Sequence, residues 1–308
     1  MTSLFQQLLR KVGLKRPQAQ CIEERAAALQ LPAAEALEPI SDCINWYAGP
    51  PIQGLLDIMR SALSGPVQED KARAHAALTT VFERNVDVYM DFDLREIDGI
   101  CGDDLDLSNY SSLEAYASTP SGRRAGIIGY KDFKRAIGQA LPDLNHCVVE
   151  VCSAAWLKPR LYWSGDQNAN AFASAIAYAR LRGLELRRPC EHTHYRIVPK
   201  AVAKLKETYH LLILSNSAWE NHDLMRLLVS YGIPYARLPL RHPLFQGDLL
   251  LLSKQHSLAQ ALGAGLLAAG VQDYSPILDQ LVQLQADAPT SSALARPRLE
   301  SLPASAVK

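Results

Sequence analysis

Two aspartates one residue apart, Asp91 and Asp93 in "VYMDFDL", pose the first chemical question of this chain. On a β-strand, residues i and i+2 leave the same face, so both carboxylates would point one way. With Asp98 or Asp104 from the loop that follows, they would form an all-oxygen ligand set suited to Mg²⁺ or Mn²⁺. A second group lies in "PCEHTHYRIV", where strand alternation puts Cys190, His192 and His194 on one face and Glu191, Thr193 and Tyr195 on the other. Two imidazoles and a thiolate are three of the four ligands that zinc takes, and either imidazole could act as a general base near neutral pH. Together, Asp91, Asp93, His192 and His194 would serve metal-dependent phosphoryl or glycosyl transfer, or hydrolysis, with a divalent metal as cofactor. The same spacings also suit solvated or half-exposed strand faces that bind nothing.

The third group is "RLYWSGDQNANAFASAIAYARLRG", Arg160 to Gly183. A short strand, a turn at Ser164-Gly165-Asp166 and an alanine-rich helix follow one another. The free N–H groups of a first helical turn present partial positive charge, which favours a phosphate or carboxylate there. Gly165, Asp166, Asn168 and Asn170 are the expected ligand-binding residues, with Gly165 leaving room for a close backbone approach. Asp166 or Asn168 could equally cap those amides itself. The strand, Gly-Asp turn and alanine helix resemble the nucleotide-contacting box of the ParB/sulfiredoxin superfamily, whose turn continues with a His-Arg pair. The resemblance implies nucleotide-phosphate binding or action on DNA. Asn168, Ala169 and Asn170 stand where that pair would fall, which removes its arginine phosphate ligand and implies a degenerate member. The Asp91–Asp93 pattern is in turn similar to the Asp-x-Asp signature of nucleotide-sugar glycosyltransferases, in which the aspartates hold the metal on the diphosphate. Those enzymes place a nucleotide-binding βαβ unit before that strand, and residues 1–85 read as helices instead.

The elements that must position these groups fall into three regions. Residues 1–85 show helical periodicity in "EERAAALQ", "IQGLLDIMRSAL" and "EDKARAHAALTTVFER", broken by Pro32, Pro50-Pro51 and Gly65-Pro66. The first residues, "MTSLFQQLLRKVGLKR", predict a basic amphipathic helix that packs on its own domain or lies on a membrane or partner surface. Residues 86–285 predict an α/β domain, a mixed sheet flanked by helices. Its first strand places Val86, Val88, Met90, Phe92 and Leu94 on one expected buried face. Further strands are expected at "GIIGY", "CVVEV", "RLYWS", "LELRR", "HYRIV", "LLILS", "PYARLPL" and "LLLLS", with Arg187 to Val198 read as an antiparallel pair. Helices are expected after Asp166, Pro199, Asn216 and His256, with Ser217 and Glu220 forming a capping box. Residues 286–308, rich in Ala, Ser and Pro, predict a disordered tail.

Composition narrows the functional classes. The 308 residues carry 32 basic and 32 acidic side chains, so no global positive field draws the chain to nucleic acid. The charge is nevertheless blocked. Glu83 to Tyr110 holds nine acidic and two basic residues, and Tyr178 to His210 holds eight basic and three acidic. Such blocks either neutralise one another or line opposite walls of a cleft. Six cysteines without a CxxC pair suit reduced thiols and a cytoplasmic setting, and no apolar run is long enough to span a bilayer. The expectation is an α/β binding or regulatory protein that recognises an anionic small molecule or a protein partner. A metal-dependent transferase or hydrolase is the alternative, and it requires Asp91, Asp93, His192 and His194 to converge.

Overall fold

A computed structural model describes residues 18–34, 42–47, 55–56, 58–102, 105–142, 148–157, 159–165, 168–242 and 245–288. In chain order its first half holds α1 (Gln18–Ala27), α2 (Gln68–Thr79), β1 (Phe82–Asp93), β2 (Gly99–Ile100), α3 (Leu113–Ala117), α4 (Pro120–Arg123), α5 (Tyr130–Ala140), β3 (Val149–Ala154) and β4 (Tyr162–Trp163). There follow α6 (Ala169–Arg182), β5 (Arg187–Ile197), α7 (Pro199–Thr208), β6 (Tyr209–Ser215), α8 (His222–Ser230), β7 (Ala236–His242), β8 (Phe245–Ser253), α9 (Ser257–Ala268), β9 (Gln272–Asp273) and α10 (Ser275–Asp287). The expected amphipathic segment at the start of the chain, the tail beyond 288, Asp104 and Asp166 lie outside the described residues.

The strands form two sheets, so the expected mixed sheet flanked by helices is present together with a second, antiparallel one. The first runs β1-β5-β3-β4-β2, with β1 and β5 antiparallel and β5 and β3 parallel. The second runs β7-β8-β6-β9. Its central strands read as unbroken apolar runs because both of their faces are covered. Leu211, Ile213, Leu249 and Leu251 join a core that reaches Ala154, Tyr162 and Ile197 of the first sheet, along with Leu78 of α2, Leu205 of α7 and Leu278 of α10. Leu212, Leu214, Leu250 and Leu252 face the opposite way, into a core built with α1, α8 and α9. On the far side of the first sheet, Val149, Val151, Cys190 and Trp163 pack under Phe133 and Ile137 of α5 and Phe172 and Ile176 of α6. The expected helical region at 1–85 therefore supplies α1 and α2 to cores it shares with the sheets.

Several local expectations are corrected. Val86 and Val88 are 46% and 59% exposed, while Phe92 is 4% exposed. The cause is a bulge: Tyr89 opposes Cys190 and Phe92 opposes Arg188, so three steps on β1 match two on β5. Side-chain parity reverses there, and the residues before the bulge that share Phe92's alternation point away from α5 and α6. Arg187 to Val198 is not an antiparallel pair but a single strand, β5, whose antiparallel partner is β1. "GIIGY" is loop leading into α5, because the Asp132 carboxylate accepts from the Ile128 and Gly129 N–H groups and starts a helix there. The capping box expected of Ser217 and Glu220 is a 3-10 turn instead, and Asn221 caps α8 through the N–H groups of Asp223 and Leu224.

Candidate functional site

A cleft of about 600 Å³ opens on the face of the first sheet turned away from α5 and α6. Strand alternation brings the β5 residues Glu191, Thr193 and Tyr195 to it, which is the face opposite Cys190, His192 and His194. Glu150 and Cys152 come from β3, Arg84 from β1, and Cys101 from the first position past β2. Ser164, Gly165 and Ala169 bring the turn that opens α6, and Trp46 and Tyr47 add aromatic surface. Glu150 and Glu191 are register partners on adjacent strands, so two carboxylates stand side by side on this wall. Among the described residues, none of Arg84, Glu150 and Glu191 is held in an ion pair. A second hollow of about 500 Å³ lies between α2, α7 and the second sheet, lined by groups such as Arg73, Lys204 and Tyr209. Its lining residues include no cysteine.

The turn at Ser164–Gly165 is thus at the cleft, but its glycine has a different reason from the expected ligand approach. A Cβ at Gly165 would lie 2.1 Å from the Trp163 ring. That indole is stacked on Phe172 of α6 with ring centroids 3.9 Å apart, so the tryptophan, not a ligand, requires the glycine. Asn168 stands in the left-handed region at φ 51° and accepts from the Ala171 N–H, satisfying one free amide of α6. Asn170 accepts from the Tyr116 hydroxyl and so ties α6 to α3. Of the four expected ligand-binding residues, Gly165 lines the cleft, Asn168 caps, Asn170 braces, and Asp166 is outside the described residues.

Two thiols meet in the cleft wall. Cys101 Sγ and Cys152 Sγ are 3.2 Å apart, and Ser164 Oγ is 3.9 Å from Cys101 Sγ. Burial and the bond to Cys152 push the Cys101 thiol well above the ordinary cysteine range, against a smaller opposing effect of the Ser164 hydroxyl.

The four expected metal ligands do not converge. Asp93 is buried, and Arg95 binds both of its carboxylate oxygens, through Nε at 2.9 and 3.1 Å. Burial alone would raise the Asp93 pKa, but the hydrogen bonds and charge of Arg95 outweigh it and leave the carboxyl below its ordinary value. Asp91 is exposed and paired with Arg187 Nη1 at 2.9 Å. His192 and His194 share a face with Cys190 as expected, but it is the other face of the sheet from the cleft. There Ser153 Oγ lies 2.7 Å from His192 Nε2 and 2.8 Å from His194 Nδ1, cross-linking β3 to β5. Burial, then the neighbouring His194, lowers the His192 pKa to about 4 against the pull of Asp87. Burial pushes the Cys190 thiol up to about 12, far from the thiolate that zinc requires. Among the described residues, no three His, Cys, Asp or Glu side chains are grouped to hold a metal ion.

The strand alternation of "PCEHTHYRIV" separates the two faces, but which one opens into a cleft depends on where the second sheet packs. Cys101 and Cys152, 51 residues apart, carry no local signal of their meeting. No helix among the described residues is long and apolar enough to cross a membrane. No curated protein and no solved structure matches the chain. Residues 88–290, which supply the β3 and β5 walls of the cleft but not Trp46, Tyr47 or Arg84, match the model of a family of unknown function (DUF6685), and the chain belongs to that family.

Proposed function

We propose that the chain is a binding protein for a small nucleotide-like ligand, seated in the cleft with its anionic group toward Arg84 and the start of α6. The observation that carries this reading is the chemical mix of one wall. Arg84 and the first amides of α6 supply positive charge for a phosphate or carboxylate. The Glu150 and Glu191 carboxylates accept hydrogen bonds from hydroxyl or amino groups, and their mutual repulsion is relieved when such donors come between them. Trp46, Tyr47 and Tyr195 supply surface for a flat or apolar moiety. Concave, partly apolar sites with a few convergent polar groups are the usual form of a small-molecule site.

The test is a thermal-shift screen of the full chain against nucleoside mono- and diphosphates, nucleotide sugars and inorganic phosphate. A compound present at 100 times its Kd adds about 2.7 kcal/mol of stability. Binding is expected to weaken at least tenfold in Arg84→Glu, an exposed position whose exchange leaves the cores intact. A panel without any response, or a response unchanged in Arg84→Glu, would overturn the reading.

A further inference from the structure

We propose that Cys101 and Cys152 form a peroxide-oxidisable dithiol, a redox site in the cleft wall that is independent of what the cleft binds. The geometry singles out this pair. Its sulfurs are 3.2 Å apart, and they must approach by only about 1 Å more to reach the roughly 2.05 Å of a disulfide. Cys101 lies one residue past the end of β2 with its N–H still donating to the Trp163 carbonyl at 2.8 Å, and Cys152 lies within β3, so rotation of the two side chains rather than movement of the backbone makes the adjustment. The cleft lets an oxidant in: both cysteines line it, Cys101 half-buried and Cys152 buried behind it. The remaining described cysteines are placed otherwise. Cys190 is sealed in the core under α5 and α6, Cys43 donates to the Asn45 carbonyl of its own segment, and Cys21 lies on α1, outside the cleft lining.

The accessibility order assigns the roles. The Cys101 thiolate attacks one oxygen of hydrogen peroxide and the O–O bond breaks. The departing hydroxide takes up the thiol's proton as water, leaving Cys101 as a sulfenic acid. Cys152 sulfur then attacks the Cys101 sulfur, the S–O bond breaks, and the hydroxyl leaves with the Cys152 proton as a second water. Two thiols and one peroxide give one disulfide and two waters, with two electrons passing from sulfur to peroxide. Because the thiolate is the reactive form and this thiol is held above its ordinary range, the reaction is expected to accelerate steadily from pH 7 to pH 9.

The experiment treats the reduced full chain with a few equivalents of hydrogen peroxide, blocks free thiols with iodoacetamide and maps unreduced peptides by mass spectrometry. The expected product is a linked peptide joining Cys101 to Cys152, reversed by dithiothreitol and formed at least tenfold faster than any other linkage. Cys152→Ser is expected to hold Cys101 as a sulfenic acid that dimedone traps, and Cys101→Ser to leave Cys152 alkylatable. The proposal is overturned if Cys101 runs on to the sulfinic acid while Cys152 stays a thiol, or if both thiols survive the treatment. It is also overturned if the linkage appears only in urea. Should either serine variant fail to fold, the wild-type linkage map still decides.

Discussion

Protonating His192 works against the fold, because the imidazole is 5% exposed, accepts or donates one bond to Ser153, and has its other ring nitrogen buried without a partner. An unfolded chain takes up this proton near pH 6.5, the folded chain only near 4. Between those values the unfolded state binds more protons, so stability falls as pH drops from about 6.5 to about 4 and the loss levels off below. His194 and His210, also held below their ordinary range by burial, add to the slope. Urea unfolding at pH 7 and pH 5 is expected to show a loss of about 2 kcal/mol from His192 alone. His192→Leu is expected to flatten that slope, and an unchanged slope would remove His192 as its source. The histidines are visible in the sequence as a pair on one face, but a ring nitrogen that finds no partner is set by the packing of β1 and β3 on either side of β5. The same limit hid the role of Gly165, whose neighbour is the ring of Trp163 two residues before it.

At the level of elements, the alanine helix was legible because its start and stop are local. Asn168 before it and Gly183 after it, the latter at φ 65°, are both left-handed caps, and the run between them has no competing period. Two substitutions at Asn168 differ in what they remove. Asn168→Gly keeps the left-handed backbone at little strain and loses the side-chain bond to the Ala171 N–H. Asn168→Ala loses the same bond and in addition strains the backbone, by roughly 1 kcal/mol. Thermal denaturation is therefore expected to rank wild type above Asn168→Gly and Asn168→Ala last, about 1–2 kcal/mol below wild type. Alanine ranking above glycine would mean that the turn does not hold this conformation. The β1 face was illegible for the converse reason. Alternation from Val86 to Leu94 is regular in sequence, and the bulge that reverses it exists only through the register with β5. α10 is legible too, since Ile277, Leu278, Leu281 and Val282 recur at helical spacing, although none of the helices expected from the sequence covers it.

For the whole molecule, the charge blocks read from the sequence find one another. Asp91 pairs with Arg187, and Asp98 and Glu114 with Arg180, which joins the β1–α3 region to α6 and β5. Most of these pairs are exposed and contribute little each, so assembly rests on close contact between layers. One such contact is at α9, where Gly263 and Gly265, about 200° apart around the helix, face opposite neighbours. A Cβ at Gly263 would lie 2.3 Å from the His210 ring of β6, and one at Gly265 would lie 2.5 Å from both the Glu23 carbonyl oxygen and the Ala26 Cβ of α1. α9 is thus held between the second sheet and α1 by the absence of two side chains. Gly→Ala in a helix interior ordinarily stabilises by about 0.5–1 kcal/mol, and Gly138 of α5, with nothing within 4 Å of its would-be Cβ, is expected to show that gain. Gly265→Ala makes the same change in helix propensity but drives a methyl group into the α1 backbone. It is expected to lose about 1–3 kcal/mol and to leave α1 more open to proteolysis. Chemical denaturation of the two variants side by side separates propensity from packing, and a gain at both positions would mean that α1 does not seat on α9 as described.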